Sequence, residues 1–312
     1  MKIFFATDIH GSEVCWRKFL NSAAFYKADL VVLGGDVTGK AMVPITEHNG
    51  YWQVTVRGET HKLESKQELD EMIVRIRNSG FYPALVSRDE LQHLGENESA
   101  VDQRFAQEMI SSLDRWLDMA DGKLRGGQIP CILNGGNDDI FEIDAVIESS
   151  PCVSFAEGKL MDLDGFSLVS MGWTNPTPWN TYREAPEEEL APKIEALAAL
   201  VPDMGRAIFN FHAPPYGTGL DDAPALDENL RPMHGGAVMK PVGSKAVRDA
   251  LLKHQPMLSV HGHIHESRAI KRLGRTLAIN PGSVYGDGVL QGAVLELDAK
   301  KAKVSKYLLV NG

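Results

Sequence analysis

Short apolar runs that each stop at a polar turn constrain this chain more than any other feature. Lys2–Ala6, Leu30–Leu33, Ile129–Leu133, Phe166–Met171, Ala207–Phe211 and Met257–Val260 are four to six residues long. Runs of that length without polar alternation are strands buried on both faces. Their alternation with helix-like stretches such as Glu13–Tyr26 predicts an α/β protein. The end of the chain differs. Arg268–Leu273, Thr276–Asn280, Val289–Leu297 and Val304–Val310 follow one another closely, with a Leu-Gly-Arg turn at Leu273–Arg275. That spacing predicts a mostly antiparallel finish with mixed pairing.

The pattern breaks between Gly39 and Gln128. A β-like segment (Tyr51–Val56) and polar helix-like stretches (Lys66–Asn78 and Ser99–Met119) fall there. We read this region as an insertion at about 40–128 in a single domain spanning 1–312, with too few apolar residues for a core of its own. Two loops, Gly172–Pro186 and His212–Gly243, are rich in Pro and Gly. Loops that long in a compact domain are usually functional. The insertion and both loops are expected to border the site and select its substrate. Trp173, Trp179 and Tyr216 are candidates to stack on a base or sugar, the alternative being that they pack the loops.

The chain's 312 residues can bury a core without disulfides. Its 42 acidic residues against 32 basic ones leave a net charge of −10. That balance excludes a broad basic surface for nucleic acid. Lys271 and Arg272, with Arg268 and Arg275, form only a small cluster on a hairpin. An anionic small substrate stays open, because a bound metal can supply local positive charge. The first apolar run stops at Ala6, too short for a signal-peptide core. No run approaches the roughly 18 apolar residues of a membrane span. Cys15, Cys131 and Cys152 form no CxxC pair, so a reducing, cytoplasmic setting and no membrane partner are expected.

Five of the strand ends carry metal-compatible residues. Asp8-Ile9-His10 follows the first, and the period-2 rule aims both side chains at one point. Gly34-Gly35-Asp36 follows the second, the glycines allowing a sharp turn. Asn134-Gly135-Gly136-Asn137-Asp138-Asp139 follows the third. There Asn137 is a neutral oxygen donor, and Asp138 or Asp139 could instead cap a helix running through Glu148. His212 ends the fifth run. His261-Gly262-His263-Ile264-His265 follows the sixth and holds three of the chain's ten histidines. By the same period-2 rule His263 and His265 share a face. Carboxylate, amide and imidazole donors suit Zn, Mn or Fe. Independent accidents would not place them at the same end of so many strands, where open α/β sheets bind ligands.

The ordered set Asp8-x-His10, Gly-Gly-Asp36, Gly-Asn137-Asp138, His212 and Gly-His263-x-His265 resembles the calcineurin-like metallophosphoesterases. The resemblance runs from Lys2 to about Ser283, with Asn280-Pro281-Gly282-Ser283 echoing a frequent late loop, and leaves out Lys40–Gln128. Phe211–Gly219 and Val242–Ser267 look closest to a prokaryotic branch with poorly defined substrates. The resemblance implies a four-layer αββα sandwich of two mixed sheets with helices outside. It implies two divalent metal ions, Mn2+ first, with Fe, Ni or Zn as alternatives. Asp8, His10, Asp36 and His265 would bind one; Asp36 would bridge to a second completed by Asn137, His212 and His263. Two divalent ions outweigh both carboxylates and a bridging hydroxide, so the site would attract phosphate. Metals roughly 3.5–4 Å apart can activate a shared water for in-line attack.

One departure matters. Many members carry Gly-Asn-His-Asp/Glu, whose His protonates the leaving group; here Asp138 stands in its place. A carboxylate beside cationic metals stays ionised and is a poor acid. A phosphodiester or phosphoanhydride is therefore favoured as substrate, a small phosphorylated molecule such as a nucleotide. A phosphomonoesterase, a protein phosphatase or a non-catalytic scaffold that keeps the metal site is the alternative. His261 and His234 are candidate replacement acids, against structural or solvent-exposed roles. An amidohydrolase fits less well, since that class places His-x-His on its first strand. A scaffold typically loses ligands, and here all seven positions are filled.

Overall fold

The computed structural model describes residues 1–125 and 129–312. Gln128, the expected end of the insertion, lies outside the described residues. The chain begins β1 (Lys2–Ala6), α1 (Glu13–Tyr26) and β2 (Leu30–Leu33). The interrupting region gives β3 (Ala41–His48), β4 (Tyr51–Val56), β5 (Glu59–Leu63), α2 (Lys66–Asn78), β6 (Phe81–Val86), α3 (Arg88–Glu96) and α4 (Glu98–Leu124). There follow β7 (Cys131–Leu133), α5 (Glu142–Glu148), β8 (Val153–Phe155), β9 (Leu160–Leu163), β10 (Phe166–Met171), α6 (Glu187–Ala199), β11 (Ala207–Phe211), β12 (Asp222–Pro224) and β13 (Met239–Pro241). The last elements are α7 (Lys245–His254), β14 (Leu258–Val260), β15 (Ala269–Leu273), β16 (Thr276–Asn280), β17 (Gln291–Asp298) and β18 (Lys303–Asn311).

Two six-stranded sheets form the frame, in the orders β18-β17-β1-β2-β7-β8 and β15-β16-β14-β11-β10-β9. Their central strands run parallel, and antiparallel strands close three of the four edges. The pleat of β1 explains the layering. Ile3 and Phe5 point inward, where Val32 and Ile132 meet Phe166, Ile208 and Leu258 of the second sheet. Phe4 and Ala6 point outward, onto Trp16 and Phe19 of α1, Leu113 and Trp116 of α4, and Ile143 of α5. Across the molecule Phe209 and Phe211 pack under Leu190 and Ile194 of α6 and Val247 and Leu251 of α7. A strand between two apolar layers must be apolar on both faces, which is why these runs lack alternation. Each large side chain so buried contributes about 1.5–3 kcal/mol. The result is the expected four-layer α/β sandwich with helices outside.

The interrupting region corrects the expectation of no core. Its strands form a sheet of order β5-β4-β3-β6. Ile45, Val54, Val56, Leu63, Leu69, Met72 and Ile76 are buried together between that sheet and α2. The signal is diluted because β4 and β5 bury only one face, so their apolar residues alternate with polar ones. Helix α4 belongs elsewhere. Trp116 stacks on Trp16 with ring centroids 5.2 Å apart and accepts the Trp16 indole N–H at its carbonyl (3.1 Å). That contact lays α4 over the first sheet. Among the described residues no helix is long and apolar enough to cross a membrane.

Candidate metal centre

Strands β1, β2, β7, β11 and β14 bring the five motifs to one rim. Backbone hydrogen bonds continue the parallel pairing past the strands: Asp8 N–H donates to Gly35 O (3.0 Å), His10 N–H to Asp36 O (3.0 Å) and Gly262 N–H to His212 O (3.0 Å). Here the period-2 expectation is corrected. Strand β1 ends at Ala6 and β14 at Val260, and the chain then turns through left-handed backbone. Asp8, His10, Asp36 and His263 have φ of 53°, 39°, 49° and 68°. Each such residue costs about 1–3 kcal/mol, and clusters of them mark sites where geometry outranks local comfort. Gly262 is required by proximity, since a Cβ there would overlap the Thr7 side chain and the Asp8 carboxylate.

The side chains fall into two groups, with a third set, His10, Asp36 and Asp138, overlapping them. The donor atoms of Asp8, His10 and His265 lie within 4.8 Å of one another, as do those of Asp36, His212 and His263. His10 Nε2 sits 3.0 Å from His265 Nε2, and both approach Asp8 Oδ1, at 3.9 and 3.4 Å. Asp36 Oδ2 lies between the groups, 3.6 Å from His10 Nε2 and 3.3 Å from His212 Nε2. His263 and His265 thus serve different groups rather than one face. Asn137 joins from β7, its amide N–H bonds spent on Thr181 Oγ1 (2.8 Å) and Asp138 Oδ1 (3.1 Å).

Unpaired donors test whether cations fit. Among the described residues Asn137 Oδ1, His10 Nδ1 and both ring nitrogens of His212 are buried without hydrogen-bond partners. A buried acceptor left unmatched costs about 1–3 kcal/mol, so three residues in one place need an explanation. Divalent cations between the two groups would supply it for Asn137 Oδ1 and for His212 Nε2, which faces Asp8 and Asp36, whereas His10 Nδ1 faces Asp138; the nitrogen–oxygen donor set suits Mn, Fe, Ni or Zn. The electrostatics agree. Burial alone would raise Asp8, yet His212, His265 and His10 hold it well below the carboxylate range. Burial opposes charge on His212, but Asp36 and Asp8 push it up to about 9. Burial, with the His212 charge beside it, drives His263 down to about 3 and so keeps a neutral imidazole.

Several residues that the motifs did not single out complete the site. Lys40 Nζ pairs with Asp138 Oδ2 at 2.6 Å. Burial works against the Lys40 ammonium, but Asp138 and Asp36 raise its pKa. Gly39 N–H, next to it, donates to the buried Tyr82 hydroxyl (2.7 Å), which ties the loop to β6. Asp139 caps no helix. It accepts from Val37 N–H (3.0 Å), Thr38 N–H (2.8 Å), Thr38 Oγ1 (2.6 Å) and Gly136 N–H (2.8 Å). It therefore locks the Asp36 loop to the Asn137 loop. Buried Arg183 braces the same turn through the carbonyls of Asp139 and Ile140. The Tyr285 ring lies 4.7 Å from that of His10. Ser283 Oγ donates to Asp8 O (2.6 Å), and Asn280 Nδ2 to Ile264 O (2.9 Å), so the late loop holds two motifs in place.

Neither candidate replacement acid reaches the cleft. His261 is fully buried, its ring bonded to Ser259 Oγ (2.8 Å), Phe211 O (2.8 Å) and Ala213 O (3.0 Å), and burial drives it down to about 4. It positions the His212 and His263 loops. His234 is exposed on a turn away from the lining. The two groups open instead into a cleft of about 900 Å³ bordered by Phe105 and Met109 of α4 and by both long loops. Of the three candidate aromatics only Trp179 lines it. Trp173 packs with Phe141 and Lys193, and Tyr216 lies under Lys245 and Arg248.

No protein-family model matches the chain. The uncharacterized protein MJ1162 of Methanocaldococcus jannaschii is 33% identical over 125 residues, 39% of this chain and 51% of the relative. The chain spans about half the length of the curated relative it matches. One solved crystal structure is 17% identical across 99% of this chain and 98% of its own, with a TM-score of 0.60. The protein TT1561 of Thermus thermophilus is 14% identical across 100% and 97%, with a TM-score of 0.53. At those identities the likeness establishes the fold alone. A solved archaeal phosphodiesterase, 12% identical across 99% and 100%, superposes more loosely still, at 0.39, and adds nothing to that.

Proposed function

We propose that this chain is a calcineurin-like metallophosphoesterase that hydrolyses a phosphodiester or phosphoanhydride with two divalent metal ions. One observation carries the reading: two groups of buried donors meet at one strand-end rim, with unpartnered nitrogen and oxygen atoms between them. Asp8, His10 and His265 would hold one ion, Asn137, His212 and His263 the other, and Asp36 would touch both. Mn2+ is the first choice; Fe2+, Ni2+ and Zn2+ also suit these donors. Bound ions of this kind polarise phosphoryl oxygens and acidify a water.

The chain's own residues supply the rest. Thr181 turns the Asn137 amide so that Oδ1 faces the centre. Asp139 and Arg183 fix the loop that carries it. Lys40 stands at the mouth with its charge balanced by Asp138. Hydrolysis joins the oxygen of one water to phosphorus and releases the leaving oxygen, which takes its proton from solvent. The Lys40 ammonium, paired with Asp138, is the group that meets the developing charge. Diesters and anhydrides with acidic leaving groups fit that arrangement better than alkyl monoesters. The three free thiols suit a cytoplasmic setting.

The test is turnover of a panel of aryl diesters and alkyl monoesters by protein stripped of metal and reloaded with Mn2+, Fe2+, Ni2+ or Zn2+. Metal analysis should find two ions per chain, with both weakened in Asp36→Ala. Full retention of two tightly bound ions in that variant sinks the bridge.

A further inference from the structure

The cleft is larger than a phosphate needs, and its far walls are apolar. Small-molecule sites run roughly 300–1,000 Å³, and this one holds about 900 Å³. Its polar end contains the candidate ligands, Lys40 and Asp138. Beyond them Met109 of α4, Pro176 and Trp179 of one loop, and Leu226, Leu230 and Val242 of the other face a common space. At the opening Trp179 is 63% exposed, Tyr182 50% and Leu230 45%. Apolar surface gathered in this way marks a binding site more often than chance.

The threonines along the wall are already committed. Thr177 Oγ1 and Thr181 Oγ1 each donate to Glu184 Oε1 at 2.6 Å, and the N–H groups of the same residues also go to Glu184. Pro176, Pro178, Pro224 and Pro232 have no N–H to offer. The indole of Trp179 and the hydroxyl of Tyr182 are polar tips at the rim. A nucleobase or sugar would lose hydrogen bonds to water along this wall and regain few. A hydrocarbon chain loses none. Charges stay at the metal end and the border, where Lys40 pairs with Asp138 and Lys240 and Glu266 also stand, while the apolar wall between them carries none.

We propose that the substrate carries an apolar chain, which lies on Phe105, Leu226 and Leu230 while its phosphate occupies the metal end beside Lys40. This rests on the phosphoesterase reading and names the substrate class for that site. The experiment uses the metal-loaded full chain and p-nitrophenyl phosphodiesters whose second ester is methyl, hexyl, dodecyl or thymidine, all below their aggregation concentrations. A buried CH2 is worth at most ~4-fold, so kcat/KM should rise at least tenfold from methyl to hexyl. In Leu230→Asp, an exposed position where folding is not at stake, the hexyl-to-methyl ratio should fall at least threefold. Calorimetry gives a second readout without turnover: hexylphosphonate should bind at least tenfold tighter than methylphosphonate, with a negative heat-capacity change. A flat chain-length series in both readouts, or a thymidine ester preferred over the hexyl ester, overturns the inference. If no ester is cleaved with any of the metals, the phosphoesterase reading falls, and the phosphonate series still decides this one.

Discussion

At the metal end of the cleft Asp8, His10 and His212 are at most 1% exposed, each fixed by its loop's hydrogen bonds. At the far wall Trp179 and Leu230 are about half exposed, and neither side chain makes a hydrogen bond among the described residues. The first region tolerates unmatched donors that the second does not carry, while left-handed backbone occurs in both, at Asp8 and Asp36 as at Leu230. Ligand geometry must be accurate to fractions of an ångström, so it is built on strand ends in a packed core. A wall that only has to displace water can be built from loops.

That contrast can be broken in several places. His212→Ala should abolish measurable turnover while thermal unfolding stays cooperative; retention of a tenth of the activity after metal reloading would mean that the buried end does not set the rate. Lys40→Ala should cost about 10²–10³-fold in kcat, the scale for removing one donor to developing charge. The loss should be steepest for poor leaving groups, with Lys40→Arg recovering part of it. An equal loss across all leaving groups would move Lys40 to phosphate binding alone. Thr181→Val should lower activity or metal affinity about 10–100-fold, as outer-shell changes do. No effect would mean that Asn137 is oriented without its help.

Two smaller effects separate the regions by stability. Ile76→Ala, in α2 where it packs on the β3–β6 sheet, should cost about 2–5 kcal/mol locally. Hydrogen exchange should quicken across residues 41–86 and not in β1 or β2; uniform quickening would show one cooperative unit. Glu157 lies behind the Asn137 loop and accepts Gly172 N–H at 2.6 Å. Burial raises its pKa to about 7, with that hydrogen bond opposing. The folded state therefore holds this proton more tightly than the unfolded state, and stability falls as pH rises from about 4.5 through 7. Glu157→Gln should raise Tm by a few degrees at pH 8 and hardly at pH 4. A gain at both would place the effect outside this carboxyl.

The strands and the seven candidate ligands were legible because each motif abuts an apolar run, and chain order survives folding as order along a rim. How the ligands divide between the two groups came from family resemblance. Asp8 and His10 converge as expected, but from left-handed loop backbone and not from a strand face, and His263 and His265 divide between the groups because the chain has already left the strand. Lys40 and Tyr82 could not be read, since the loop holding them is closed by an interaction across 43 residues. Asp139 was visible only as a cap, because its partners on the Asp36 loop are remote in sequence. The apolar wall draws single residues from three segments, and no periodicity joins Met109, Trp179 and Leu226. The core under β4 and β5 hid in ordinary alternation.

Strand β1 pairs with β2 on one side and with β17 on the other. The candidate ligands stretch from Asp8 to His265, and the strand that flanks Asp8 ends only at Asp298. A ribosome adding about 5–20 residues per second takes roughly 15–60 s to travel from the first ligand to the end of that strand. Throughout synthesis the first two carboxylates wait for histidines that do not yet exist. Until those histidines are made the nascent chain holds only part of the donor set, so an ion bound at full affinity would be taken late, from whatever the surrounding pool then offers.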